Sequence, residues 1–157
     1  MIVVADTSPP LHLARIGWLD LIPAVVGRVL VPRTVWGELV HAGTRPDVVA
    51  ALESAAWIEV VQDPPVQDLG LDAGETAAIL LAEQLRADAL LIDERHGRAV
   101  ALARGIAVIG TLGIVAGARR SGVLERAAPV VAQLRADGFW LSDDLVTEFL
   151  NGLGETL

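Results

Sequence analysis

Ile2-Val3-Val4-Ala5-Asp6-Thr7-Ser8-Pro9 is the stretch on which the fold is read. Residues 2–5 form an uninterrupted apolar run rich in β-branched side chains, the pattern of a strand buried on both faces of a parallel sheet. The run stops at Asp6. A hydroxyl residue before proline then signals helix entry, because the hydroxyl can cap free amides while proline has none to leave unsatisfied. A helix is therefore predicted over 9–16. Working outward, 29–31 reads as a second strand, 34–41 as a helix carrying Glu38, 47–55 as another helix and 58–61 as a strand or edge segment. Pro64-Pro65 mark 62–70 as an exposed connection. Asp72-Ala73-Gly74-Glu75 opens a periodic helix in which Ala78, Ile79, Ala82 and Leu85 recur at three- and four-residue spacing. A strand over 89–92 ends at Asp93, and 95–103, 106–109 and 111–121 read as helix, strand and helix. This alternation predicts an α/β domain layered around a parallel sheet. Residues 124–157 are helical in character, with Ser142 as an N-cap, and nothing marks a domain boundary. The expectation is one domain over 1–157, with 124–157 as its helical tail.

Composition narrows the chemistry. The chain has 157 residues, 53% of them hydrophobic, enough for one core. Twelve basic against twenty acidic residues leave a formal charge of −8, so the general surface cannot hold nucleic acid by counterion release. Any nucleic-acid chemistry must be local and metal-assisted. All the basic residues are arginine, which excludes catalytic or Schiff-base lysine. The absence of cysteine removes thiolate catalysis, disulfides and Cys-based metal sites, and suits a cytoplasmic protein. No secretory leader and no membrane-spanning stretch are expected: Asp6 interrupts the first apolar run, and the longest uncharged segment, 105–118, is shorter than the roughly 20 residues a spanning helix needs.

Ligands of open α/β sheets bind beyond the carboxyl ends of the strands, where this chain places Asp6 and Asp93. Glu38 and Glu75 come from helices that begin near that edge or pack beside it. Carboxylates brought together by a fold repel one another unless a cation neutralises them, and Mg²⁺ or Mn²⁺ prefers oxygen ligands. Each acid also has a structural reading. Asp6 and Asp93 can open turns or cap the following helix, Asp72 and Glu75 have the spacing of a capping pair, and Glu38 alone can be a solvated helix residue. Glu94 is a further ligand, a water-mediated support or plain surface. His12, His41 and His96 are scattered and form no zinc-type pair.

Val4-Ala5-Asp6-Thr7-Ser8-Pro9, Val31-Pro32 leading to Trp36-Gly37-Glu38-Leu39, Leu71-Asp72-Ala73-Gly74-Glu75 with Ala78-Ile79, Leu91-Ile92-Asp93-Glu94-Arg95 with Gly97-Arg98, and Val108-Ile109-Gly110-Thr111-Leu112-Gly113 stand in the order of the PIN-domain family. The chain resembles a prokaryotic PIN-like branch related to VapC-type toxin ribonucleases, and Gly138-Phe139-Trp140-Leu141-Ser142 is similar to the tail of that branch. The resemblance implies a three-layer sandwich with a central, mainly parallel sheet flanked by helices. It further implies a Mg²⁺- or Mn²⁺-dependent ribonuclease whose acids are Asp6, Glu38, Glu75 and Asp93, with Thr7 and Ser8 ordering the site. Two positions depart from the pattern: Pro9-Pro10 doubles one proline, and Glu75 stands where the family commonly has Asp. The partners implied are an RNA substrate, an antitoxin protein and a second copy of the chain. The apolar surfaces near Trp18 or Val115 are the candidates for a homodimer face. The competing reading is a non-catalytic PIN-like module for protein binding or dimerisation, which arginine pairing of the acids would favour.

Overall fold

The computed structural model describes residues 1–156, so residue 157 of the predicted tail lies outside the described residues. In chain order the elements are β1 (Val3–Ala5), α1 (Ser8–Arg15), α2 (Leu21–Val26), β2 (Val29–Pro32), α3 (Arg33–Leu39), α4 (Pro46–Glu53) and β3 (Ile58–Val61). They continue with α5 (Ala73–Leu85), β4 (Ala89–Leu91), α6 (Arg95–Ala103), β5 (Val108–Ile109), α7 (Thr111–Arg120), α8 (Ala128–Ala136) and α9 (Asp143–Gly152). The strands form one sheet in the order β3-β2-β1-β4-β5, and every neighbouring pair is parallel.

The first apolar run takes the centre of this sheet. Val4 stands opposite Leu30 of β2 on one side and Leu90 of β4 on the other. Val3, Val4 and Ala5 are at most 1% exposed, as a strand covered on both faces requires. The chain builds outward from β1 through β2 and β3, then returns to the opposite side of β1 with β4 and β5. The strand order therefore reverses between β1 and β4, and a crevice opens beyond their carboxyl ends. Helix α5 lies across β1, β2 and β4 with α3 and α6 beside it, while α1 packs on α4 and α7, and α2 on α7. The result is the α/β three-layer sandwich with a central parallel sheet.

Local departures from the sequence reading have local causes. Helix α2 is hidden in the sequence by its length of six residues and by Pro23; proline in the first turn removes an amide that has no helical partner anyway. Gly27, at φ 74°, stops it. The doubled proline does not displace α1, because Pro9 and Pro10 precede the first amide that needs a carbonyl, that of Leu11, which donates to Thr7 at 3.1 Å. The strand predicted over 106–109 keeps only its last two residues, since the Ile106 amide turns back to the Ala101 carbonyl of α6 at 3.0 Å. Ser142 caps α9, accepting from the Leu145 amide at 3.1 Å. Val115 itself is turned entirely into the core by α7. Trp18 is half-buried and donates through Nε1 to Gln133 at 2.7 Å. Among the described residues no helix is long and apolar enough to cross a membrane.

Candidate functional site

Asp6 and Asp93 follow the two strands that flank the reversal. The Asp6 amide donates to the Leu91 carbonyl at 2.8 Å, which holds the first aspartate level with the end of β4. The Ile92 amide donates to Ile109 at 3.0 Å and carries Asp93 to the same edge. Helices α3 and α5 bring Glu38 and Glu75 over them. All four acids line one open cleft of about 570 Å³ with Thr7, Ser8, Asp72 and Glu94.

The hydroxyls after Asp6 work on carboxylates rather than on the helix. Thr7 is the N-cap residue of α1 but makes no side-chain cap; its Oγ1 donates to Glu38. Ser8 Oγ donates to Asp93 Oδ2 at 2.8 Å. Asp93 also accepts from the Thr111 amide at 2.7 Å on Oδ1 and from the Thr111 hydroxyl at 2.7 Å on Oδ2. It thus ties the starts of α1 and α7 together. It does not cap the helix that follows it: Glu94 does, accepting from the Gly97 amide at 2.8 Å. The amides of Gly97 and His96 hold the Glu94 carboxyl below its ordinary range. Asp72 caps α5 through the Glu75 amide at 2.8 Å, as the spacing predicts. Glu75 does not reciprocate, and its Oε2 is buried with no hydrogen-bond partner.

Glycines shape the space around three of the acids. A Cβ at Gly97 would stand 2.8 Å from Glu75 Oε2, and one at Gly110 would stand 3.0 Å from Asp93 Oδ1. At Gly74 it would overlap the Glu38 carboxyl, whose carbon would lie at 2.7 Å. These distances are below ordinary van der Waals contact, so the carboxylates occupy room that only glycine leaves.

Among the described residues the four acids make no close ion pair, although Arg98 Nη1 and Asp93 Oδ1 flank the same point beside Gly110. Among the described residues the ion pairs within 4.0 Å join arginines to Asp47, Glu59, Glu83, Asp137, Asp143 and Glu155, and none joins the four acids. Asp6 is 4% exposed. Burial, opposed by the Thr7 amide and reinforced by the charges of Asp72, Glu38 and Asp93, pushes its carboxyl up to about 7. Glu75 is likewise raised, first by burial, then by contact with the Asp72 carboxyl and by the charges of Asp72, Asp6 and Glu94. A buried, unpartnered carboxylate oxygen among acids that resist ionisation fits a cation with oxygen ligands. As the side chains stand, no three His, Cys, Asp or Glu among the described residues form a closed coordination group.

The sequence reading did not place His12, Phe139 or Trp140 in the cleft. His12 lies one turn after Ser8 on α1, a spacing that places both on one helix face. Its ring meets Phe139 edge-on at a centroid distance of 4.7 Å, its Nδ1 is buried without a partner, and burial lowers its pKa. Phe139 and Trp140 close the cleft from the connection between α8 and α9, and no periodicity signals that placement. His96 is exposed.

A family model described as DUF3368, a PIN domain, matches residues 2–155. The chain belongs to the PIN-domain family. Among solved structures, the fold is similar to that of a PilT N-terminus domain protein from the archaeon Sulfolobus solfataricus P2, with a TM-score of 0.53 and 14% identity over 73% of this chain and 90% of that one. At that identity the likeness concerns the PIN architecture alone. No curated protein matches the chain.

Proposed function

We propose that this PIN-domain protein is a Mg²⁺- or Mn²⁺-dependent endoribonuclease acting in the cytoplasm as the toxin of a toxin–antitoxin pair, and that it functions as a homodimer. The observation that carries the nuclease reading is the set of four acids at the reversal of strand order, unpaired with arginine and lying against a buried orphan oxygen on Glu75. Asp6, Glu38, Glu75 and Asp93 would hold the metal. Bound there, a divalent ion supplies Lewis-acid stabilisation of phosphodiester charge and a water acidic enough to attack near neutral pH. The chain itself sets the geometry. Thr7 orients Glu38, and Ser8 and Thr111 orient Asp93. With water as the attacking group no side-chain nucleophile is required, in keeping with a chain that has no lysine or cysteine.

A second reading, a non-catalytic protein-binding module, draws on Asp93, whose two oxygens already accept three hydrogen bonds within the chain. Cleavage of mixed single-stranded RNA under Mn²⁺ or Mg²⁺ separates the two. Asp6→Asn and Asp93→Asn should each abolish metal-dependent cleavage while the fold persists, Asp72→Asn should be milder, and His96→Ala milder still. Wild-type protein that cleaves no RNA yet binds a small protein tightly overturns the nuclease reading.

A further inference from the structure

A second cavity adjoins the carboxylate cleft. It measures about 560 Å³ and shares Asp93, Phe139 and Trp140 with the cleft, so the two adjoin at these side chains. Its walls are otherwise mostly apolar, from Val108, Ile109, Leu112, Leu141 and Leu145. Trp140 is 83% exposed, an unusual position for the largest apolar side chain in a core-forming chain. Arg98 lines the same cavity. It is half-buried, its Nη1 donates to the Ile92 carbonyl at 3.0 Å, and among the described residues it has no carboxylate within 4.0 Å. The combined wall thus offers a flat aromatic face, an apolar recess and, on the side of Asp93, a guanidinium that among the described residues makes no ion pair within 4.0 Å.

We propose that this cavity is a base-binding subsite, in which one unstacked base of a single-stranded RNA lies against Trp140 while Arg98 faces its phosphate or polar edge. This inference rests on the ribonuclease reading and adds the place where a base would be held. Charge decides in favour of stacking. A chain of net charge −8 cannot grip a strand through many phosphates, so affinity has to come from the aromatic face and the recess. A base inside a duplex has no free face to offer, so paired RNA is excluded. The recess shares Asp93 with the cleft, so a base held in it would lie next to the phosphodiester that the carboxylates would address.

Binding is read with the full chain in chelator, where no cleavage occurs, using a short labelled single-stranded oligoribonucleotide of mixed sequence. Trp140→Ala should weaken binding about 5- to 150-fold, the equivalent of about 1–3 kcal/mol per stacked base, and Trp140→Phe should retain most of it. The same RNA annealed to its complement should bind far more weakly. Raising salt from about 50 to 200 mM should cost less than about tenfold, well short of the roughly 300-fold expected when six phosphates of a single strand are neutralised. Trp140 is exposed enough for truncation to leave the fold intact, which thermal unfolding of the variant verifies. Equal binding by wild type and Trp140→Ala, equal binding of duplex, or no RNA binding at all overturns the proposal. So does a Trp140→Ala variant that binds RNA normally but loses a protein partner or its own dimer. Cleavage assayed in parallel separates the two claims: Trp140-dependent binding without metal-dependent cleavage retains the subsite and removes the nuclease, and cleavage lost in Asp93→Asn but untouched by Trp140→Ala does the reverse.

Discussion

Asp6→Asn should make the metal-free protein more stable, because it removes a charge that the fold resists. Asp6 has an ordinary value of 3.8 and about 7 in the folded chain. The native state therefore binds the proton more tightly than the unfolded state. The penalty is absent below pH 3.8, grows as pH rises, and is complete above about 7. At roughly 1.4 kcal/mol per pH unit the full penalty is about 4 kcal/mol at pH 8. Asparagine keeps an oxygen for the Thr7 amide and presents an NH₂ to a cleft rich in acceptors; whatever remains unsatisfied returns about 1–3 kcal/mol. The expected net gain is about 1–3 kcal/mol, or about 2–12 °C in Tm for a chain of this size. Thermal unfolding in chelator from pH 4 to 8 measures it. At pH 4 the variant should be the less stable of the two by what asparagine leaves unsatisfied, the curves should cross as pH rises and then diverge, and millimolar Mn²⁺ should raise the wild-type midpoint while barely moving that of Asp6→Asn. A variant no more stable than wild type at pH 8, with a gap that does not depend on pH, refutes the reasoning that the acids share an uncompensated site.

Gly97→Ala places a methyl against Glu75 Oε2 and the Ile92 side chain while improving helix propensity by about 1 kcal/mol, so Tm should hold within a few degrees while metal-dependent cleavage falls at least tenfold. A fully active variant would show that the position of Glu75 is immaterial. Glu155 is buried, which opposes ionisation, but the amides of Ala127 and Ala128 and the Arg119 guanidinium outweigh that and hold its carboxyl below the ordinary range. Glu155→Ala should cost about 2–4 kcal/mol at pH 7, and the difference from wild type should shrink as pH falls through the folded value below 4.5, as followed by urea unfolding at stepped pH. Arg86 ends α5 in the left-handed region at φ 50°, so Arg86→Gly should stabilise by about 0.5–1 kcal/mol; a loss of midpoint in the same urea assay would point to an unrecognised role for its side chain.

The strands and most helices were legible because burial on both faces writes itself locally. Val3-Val4-Ala5 and Ala89-Leu90-Leu91 can be little other than central parallel strands, and Asp72 and Ser142 announce the helices they cap. Helix α2 was illegible because six residues give no full apolar stripe and Pro23 argues against a helix unless its position in the first turn is known. Thr7 and Ser8 read as cap candidates, yet their hydroxyls turn to Glu38 and Asp93, partners 31 and 85 residues away that no local rule can see.

The sequence alone determined the inventory: which acids follow strands, that no lysine or cysteine competes with them, and that the surface is too acidic for general phosphate binding. Tertiary structure decided their company. Strand order placed β4 beside β1 and so put Asp93 next to Asp6; packing of α5 over three strands left Glu75 with a buried, unpartnered oxygen; and the connection between α8 and α9 set Trp140 at the mouth of the cleft. The division follows from the range of the forces. Propensity and capping act within a turn or two, whereas desolvation and the sum of neighbouring charges, which lift Asp6 to about 7, exist only once distant segments have closed around it.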